Sequence, residues 1–448
     1  MRASLVRVLP DTYLARRLAL QSVLFKTGDG TFTTGSAVFF TQVVGLSIAQ
    51  VGLGLTLAGV ASGVAAIPAG RLVDRIGPKR TWSIGALLCG LMFVAWPFIG
   101  GFAAYAVMVS IYEVVENTAN AGQQAYVLDV LPAKERVRTQ AYLYSAMNTG
   151  STIGALIGGI ALAFNDLTVM RWIPLLTVAL FGINAYFVTR LPKAPRDLRT
   201  REEARVRPPG PSAVRNRAYL ALQFCMGTLW TNQTLLSVLI PLWLVEETDS
   251  PHWLLAWLFG TNTVLCIVLP QFTSVGVRTI GDALGRLRWS AGFFVVSCLI
   301  TMVTHSTAGL ITALLVWLGH LTVTGAELAT GSAGWAFQSQ LQDPRRRGEY
   351  GSVGGLFNGL GNRWAPALYT WLAMEWRHVG WMLIGLIVVL AAAGAHPAAR
   401  AAQRFADREF PEDEMPPASS PPASSPGAGG AGGGMPGATP GMPTPQLS

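Results

Sequence analysis

Residues 70–80 read Gly70-Arg71-Leu72-Val73-Asp74-Arg75-Ile76-Gly77-Pro78-Lys79-Arg80 and lie between two long apolar runs. Gly77 and Pro78 suit a tight reversal, and Arg71, Arg75, Lys79 and Arg80 surround it with the cations that keep a short loop on the cytoplasmic side of a membrane. The stretch reads as the turn between two neighbouring transmembrane helices. Apolar runs of about 20 residues, enough to cross a bilayer, fall near 20–45, 48–70, 80–98, 101–128, 139–163 and 170–190. They resume near 218–244, 252–276, 288–305, 308–338, 350–374 and 378–399. An all-α polytopic membrane protein with twelve transmembrane helices is expected.

Composition points the same way. Of 448 residues 51% are hydrophobic and 13% charged, and the mean hydropathy is +0.40, whereas a soluble chain carries about a quarter charged residues. A net charge of +9 would suggest nucleic acid in a soluble protein, but here the cations cluster in short turns, and no nucleic-acid partner is expected. With the N-terminus in the cytoplasm, only Arg171 and Arg377 fall outside and only Lys26 and Arg363 fall within helices. The expectation is a multi-pass protein of the cell membrane, in contact with lipid, with both termini cytoplasmic and a monomeric state. No cleaved signal peptide is expected, because no short apolar segment with a cleavage site precedes the first long helix. Cys89, Cys225, Cys266 and Cys298 lie in apolar runs without metal-ligand spacing, which predicts neither a disulfide framework nor a metal site. The chain lacks a phosphate-binding G-x-x-x-x-G-K-S/T, a Ser-His-Asp order and a dinucleotide fingerprint, so direct ATP drive, an enzyme activity and a cofactor are not expected.

The pattern G-x-L-x-D-R-x-G-x-K-R over residues 70–80 resembles the signature of the loop between the second and third helices in the major facilitator superfamily. The halves echo each other at a nearly constant separation: Asp74, Gly77 and Arg80 recur as Asp282, Gly285 and Arg288, Glu116 and Tyr126 as Glu327 and Phe337, and Asn148 as Asn358. The resemblance implies two pseudo-symmetric six-helix bundles facing a central cavity. The bundles are placed at 1–192 and 218–402. Between them, 193–217 is a basic cytoplasmic linker carrying Arg196, Arg199, Arg201, Arg205 and Arg207, with a partial amphipathic helix as one option. Residues 403–448 form a tail whose Pro, Gly, Ala and Ser content cannot bury a core, and disorder is expected there.

A charged side chain in hydrocarbon is costly and usually faces a cavity or a partner. Lys26 and Asp29 lie one turn apart in the first helix, Glu113 and Glu116 one turn apart in the fourth, Glu327 in the tenth and Arg363 in the eleventh. By the resemblance, helices one, four, seven and ten line the cavity. Close carboxylates in a low dielectric do not both ionise easily, which suits proton coupling. Asp29, Glu113, Glu116, Glu327 and Arg363 are therefore the proton-coupling or substrate candidates. The competing reading is that the acids pair with Lys26 or Arg363 to hold helices together. For Arg363 an ion pair with an acid of helix four or ten stands beside contact with an anionic substrate. His320 alone among the histidines lies within a helix, where packing is the expected role. Asn117, Asn120, Trp230, Asn232, Gln233, Asn262, Trp335 and Asn358 are the substrate-cavity candidates, since apolar and aromatic walls with a few polar groups suit an amphipathic small molecule.

The chain departs from the family in two places. Many proton-driven members carry R-x-x-Q-G-x-G in the fourth helix; the corresponding stretch is Glu116 to Gly122, so a carboxylate stands in the arginine position. The fifth helix carries Gly150, Gly154, Gly158 and Gly159, which resembles the antiporter signature G-x-x-x-G-P-x-x-G-G with Ala155 in place of the proline. Spacing of this kind also serves plain helix packing. What the resemblance implies is a secondary transporter most like the drug and metabolite efflux branch, driven by protons; an importer or facilitator of a small metabolite, anionic in one option, is the alternative. A conformational gate is expected at Gly70, Asp74, Arg75, Gly77 and Arg80, duplicated at Asp282, Gly285 and Arg288.

Overall fold

The computed structural model describes residues 10, 12–164, 166–199 and 210–410. Among these the regular structure is entirely helical. The first half comprises α1 (Tyr13–Val38, prolonged by a π-helical turn to Val43), α2 (Ile48–Ile76), α3 (Pro78–Ala95), α4 (Phe102–Val130), α5 (Ala133–Ala163) and α6 (Leu167–Thr189). The second comprises α7 (Arg217–Glu247), α8 (Leu254–Val268, extended by Pro270–Thr273), α9 (Ile280–Val303), α10 (Gly309–Leu341), α11 (347–376) and α12 (378–409). Eight helical stretches are long and apolar enough to cross a membrane on length and composition alone. One of these, Arg347–Glu409, holds both α11 and α12. The charged α1, the polar α4 and the short α8 complete the twelve.

Local sequence sets where helices begin and stop. Ser47 and Gln50 close a reciprocal capping box at the start of α2, which satisfies amides that an uncapped helix start leaves bare. At the other end of α2, Gly77 takes φ +103°, a conformation that a side chain resists, and Pro78 then opens α3 with a backbone already set for it. The α11–α12 reversal rests on Arg377 at φ 42°, ψ −114°, and on Gly380, whose missing side chain lets α12 lie against Leu372. In α7 the regular ladder fails after Leu229 and resumes through a π-helical turn, Leu235–Leu239, before Ile240.

The two halves repeat one packing plan. In the first, α1 lies on α5 and α6, α2 on α4, and α3 on α4 and α6. In the second, α8 and α9 lie on α10, α7 meets α11 where Gly227 faces Gly361, and α9 meets α12 at Val295 and Gly385. Aromatic rings fill the first core, with Phe32, Phe93, Trp96 and Phe181 buried together; Trp243, Phe294, Phe337 and Trp381 do the same in the second. Between halves α2 packs on α11, and α5 on α8 and α10.

Several sequence expectations move. The Ala-rich stretch after Ala398 continues α12 to Glu409, beyond the expected boundary at 402, because alanine costs a helix least. Of the linker, only short 3-10 turns at Pro195–Leu198 and Ala213–Arg215 appear among the described residues; Arg201, Arg205, Arg207 and the tail from 411 onward lie outside them. The echo between residues 74–80 and 282–288 is out of structural register. Gly77 ends α2, whereas Gly285 lies inside α9 with open space around it.

Candidate functional site

At the end of the molecule where residues 70–80 turn, ionic contacts close the space between halves. Gly70 lies directly against Gly348 and Ser352 at the start of α11. Asp74 is buried and accepts the backbone N–H groups of Gly348 and Glu349 at 2.8 and 2.9 Å, so a carboxylate of one half caps a helix of the other. Arg196, from the linker, bridges Asp74 at 2.7 Å and Asp129 at 2.6 Å. Arg347 reaches Asp129 from the opposite half at 2.6 Å. Burial works against the Arg196 charge, but Asp129 and Asp74 outweigh it and hold its pKa above the ordinary guanidinium value. The neighbouring Asp197 accepts the N–H groups of Lys79 and Arg80, each at 3.3 Å, and so caps α3. Arg71 and Arg346 both reach the buried Glu349, at 3.3 and 3.2 Å, and the Ser212 hydroxyl donates to it as well.

Of the residues expected at a gate, only some take part in these contacts. Gly70, Asp74 and Gly77 sit at its centre and Arg80 contributes its backbone N–H, while the Arg75 side chain is exposed. At the expected duplicate the contacts stay within the second half. Asp282 accepts from the N–H groups of Arg278 and Thr279 at the start of its own helix, at 3.1 and 2.8 Å, because its place in the first turn of α9 offers free amides that Asp74, near the end of α2, does not have. Arg288 is exposed and donates to His396 at 3.0 Å.

At mid-depth the first half gathers one cation and several acids. Lys26 and Asp29 of α1 form an ion pair at 2.7 Å, both about three-quarters covered. Glu116 of α4 lies within Coulombic reach of both, and of Glu113. Asn117 donates to the Glu113 carboxylate at 3.0 Å and to the Ser62 hydroxyl of α2 at 2.7 Å. Glu116 and Asn120 also line a cavity of about 10 Å³ together with Gln123 and Asn184, room for a single water molecule. From its wall Gln123 donates to Gln21 at 3.0 Å and Gln21 to Asn184 at 2.9 Å.

The second half holds its acid differently. Glu327 of α10 is 4% exposed and has no ion-pair partner among the described residues. It accepts from the Tyr144 hydroxyl of α5, from Asn262 of α8 at 3.0 Å and from the Cys266 thiol at 3.6 Å. Arg363 makes no ion pair among the described residues. It is exposed, lies over Gly59 of α2, and makes no ion pair with an acid of α4 or α10. Trp230 and Trp335 both approach Gly331, and Gln233 is half-buried nearby in the sequence. Asn232 is buried with neither side-chain nitrogen nor oxygen partnered, and the Asn358 side-chain oxygen is likewise unpartnered.

Gly150, Gly154 and Gly158 face α1 so closely that a Cβ on any of them would collide with the α1 backbone at Val23, Thr27 or Thr31. Gly159 has open space, since the next position on a helix turns about 100° away. Sequence reasoning missed Tyr144, Asp129, Arg347 and Cys266 as partners. Two carried a signal, Asp129 as an acid at the end of an apolar helix and Arg347 as a cation opening one; for Tyr144 there was none.

Comparison with known proteins settles the family. The sequence description of the major facilitator superfamily matches residues 18–370. The chain belongs to that superfamily. No curated protein matches the chain. Among solved structures it is similar to a bacterial homologue of the iron transporter ferroportin in an outward-facing state, at 16% identity and a TM-score of 0.63, covering 89% of this chain and 100% of that one. It is also similar to FucP in the outward conformation, at 14% identity and a TM-score of 0.64 over 87% of this chain and 98% of that one. The proton:xylose symporter XylE is similar at 15% identity and a TM-score of 0.61, over 85% of this chain and 94% of that one. These likenesses are to the fold. This superfamily member is thus a multi-pass membrane transporter of small molecules, not an enzyme.

Proposed function

We propose that this transporter exports an amphipathic small molecule in exchange for protons, as a monomer of the cell membrane, by rocking its two halves about a mid-depth site. The observation that carries the reading is the surplus of carboxylate over cation at that depth: Asp29 and Glu116 share Lys26, Glu113 adds a further carboxylate within reach of Glu116, and Glu327 has no ion-pair partner among the described residues. Uncompensated carboxylates in a membrane are costly, and a proton or a positively charged cargo relieves that cost. The aromatic and amide side chains around them fit an amphipathic cargo. Charge distribution supports a cytoplasmic position for the ionic end, and the polar contacts between halves lie at that end and at Tyr144–Glu327. Among the described residues none ties the far ends of α1 and α7, which supports an outward-facing reading.

The test uses everted vesicles and a panel of fluorescent amphipathic dyes. Acidifying the vesicle interior should drive dye accumulation, and Glu116→Gln or Asp29→Asn should abolish it; undiminished accumulation in both variants and in Glu113→Gln would overturn the carboxylate basis. Arg363, exposed and without an ion pair among the described residues, favours one second reading, import of a small anion. Uptake of anionic compounds into intact cells that is lost in Arg363→Ala would establish that reading instead.

A further inference from the structure

Tyr144 and Trp335 place their ring centroids 5.8 Å apart across the two halves. Trp335, one turn after Gly331 on α10, and Trp230 of α7 both approach Gly331, and all three rings are partly buried. One helical turn before Gly331 on α10 lies Glu327, to which the Tyr144 hydroxyl donates. Aromatic faces carry partial negative charge, so rings and carboxylate together give one patch of a single sign.

The Glu327 carboxylate already has its hydrogen bonds. One oxygen accepts from Tyr144, the other from Asn262 and Cys266. Every one of these donors is neutral. What the patch lacks is positive charge rather than hydrogen-bond donors, and a quaternary or bulky organic cation supplies charge without needing to donate a hydrogen bond. Metal ions are a poor match, because a single carboxylate with aromatic walls offers few oxygen ligands, and no metal-ligand cluster is present among the described residues.

We propose that Glu327, Tyr144, Trp335 and Trp230 form a binding site for a lipophilic organic cation, held by aromatic faces over a buried carboxylate. The inference rests on the export reading for its role in transport, but the site binds whether or not the chain turns over. Its position between α5 and α10 puts contacts from both halves on one cargo, so occupancy is linked to the relative position of the halves. Asn232, two residues from Trp230, adds unpartnered amide atoms to the break in α7.

Tetraphenylphosphonium and tetraphenylborate are matched in size and shape and opposite in charge, and they serve as probes for the purified full-length protein in lipid nanodiscs. Equilibrium dialysis should show the cation binding at least about tenfold more tightly than the anion. Glu327→Gln should remove that preference, and Trp335→Leu should weaken cation binding by about tenfold while Trp335→Phe retains most of it. Both variants are compared after thermal melting shows them folded, and Trp335, only partly buried, keeps the second informative should the first unfold. Equal binding of the two probes, a cation preference unchanged in Glu327→Gln, or cation binding unchanged in Trp335→Leu would overturn the site. Proton-driven transport of neutral dyes without tetraphenylphosphonium binding would sink the site and leave the export reading standing. Glu327-dependent binding without proton-driven flux would do the reverse.

Discussion

Asp74 illustrates what a single residue reveals and hides. Its membership of a charged turn, and through the resemblance its role at a gate, were legible in residues 70–80. Its partners were not, because Arg196 lies in a linker of many arginines and only the fold selects the one that is buried against Asp74 and Asp129. Asp74→Asn leaves one acceptor oxygen for the two α11 amides that Asp74 holds and leaves Arg196 with one carboxylate. Asp74→Asn is expected to slow transport by about tenfold or more, the scale of one lost charge-assisted contact, while probe binding in nanodiscs stays within about twofold of the parent. Equal loss of binding and flux would mean that Asp74 supports the fold rather than the gate. Arg196→Gln should act in the same direction and also lower the melting temperature, because it leaves two buried carboxylates with less compensation. Glu327 makes the complementary point: its rarity in an apolar helix was visible, but Tyr144 as its donor required knowing that α5 crosses α10.

Helices were the most legible scale, since each apolar run is long and the membrane demands backbone bonds within the segment. Ends were less legible. Hydropathy falls before the helix does, so α2 runs to Ile76 and α12 to Glu409, where charged or Ala-rich turns continue the ladder. The residue echo misled for a related reason: spacing along the chain does not register whether an acid stands before or after a turn. The glycine stripe of α5 gives the sharpest test at this scale. A valine at Gly154 would have to displace the α1 backbone at Thr27 and Thr31, and overpacking of this kind costs about 1–3 kcal/mol. Gly154→Val is expected to lower the melting temperature in detergent or to block assembly, while Gly159→Val, facing open space, should leave it nearly unchanged. Matching losses in both would show that helix propensity, not the α1–α5 contact, sets the effect.

For the whole molecule, the twofold plan places the same pairs of helices at corresponding positions in each half, yet the ionic closure is built on one side only, by Asp74, Asp129, Arg196 and Arg347. That asymmetry suggests a state bias that can be measured. Replacing Asp129 and Arg347 together by Asn and Gln removes one ionic bridge between halves, leaving the Asp74 contacts with α11 and the Arg71–Glu349 pair, while Arg196 keeps Asp74, so no net charge is left behind in the cluster. Each 1.4 kcal/mol of lost bridge shifts the balance of states about tenfold. Asn117, exposed beside Glu113, is the reporter position: Asn117→Cys, with the half-buried Cys225 replaced by Ala, is treated with an impermeant maleimide. In right-side-out vesicles of the otherwise unchanged protein, labelling from outside should be fast, and in everted vesicles slow. The paired substitution should reverse the order of the two rates. Unchanged labelling from both sides would show that the ionic cluster holds the fold without setting which side is open.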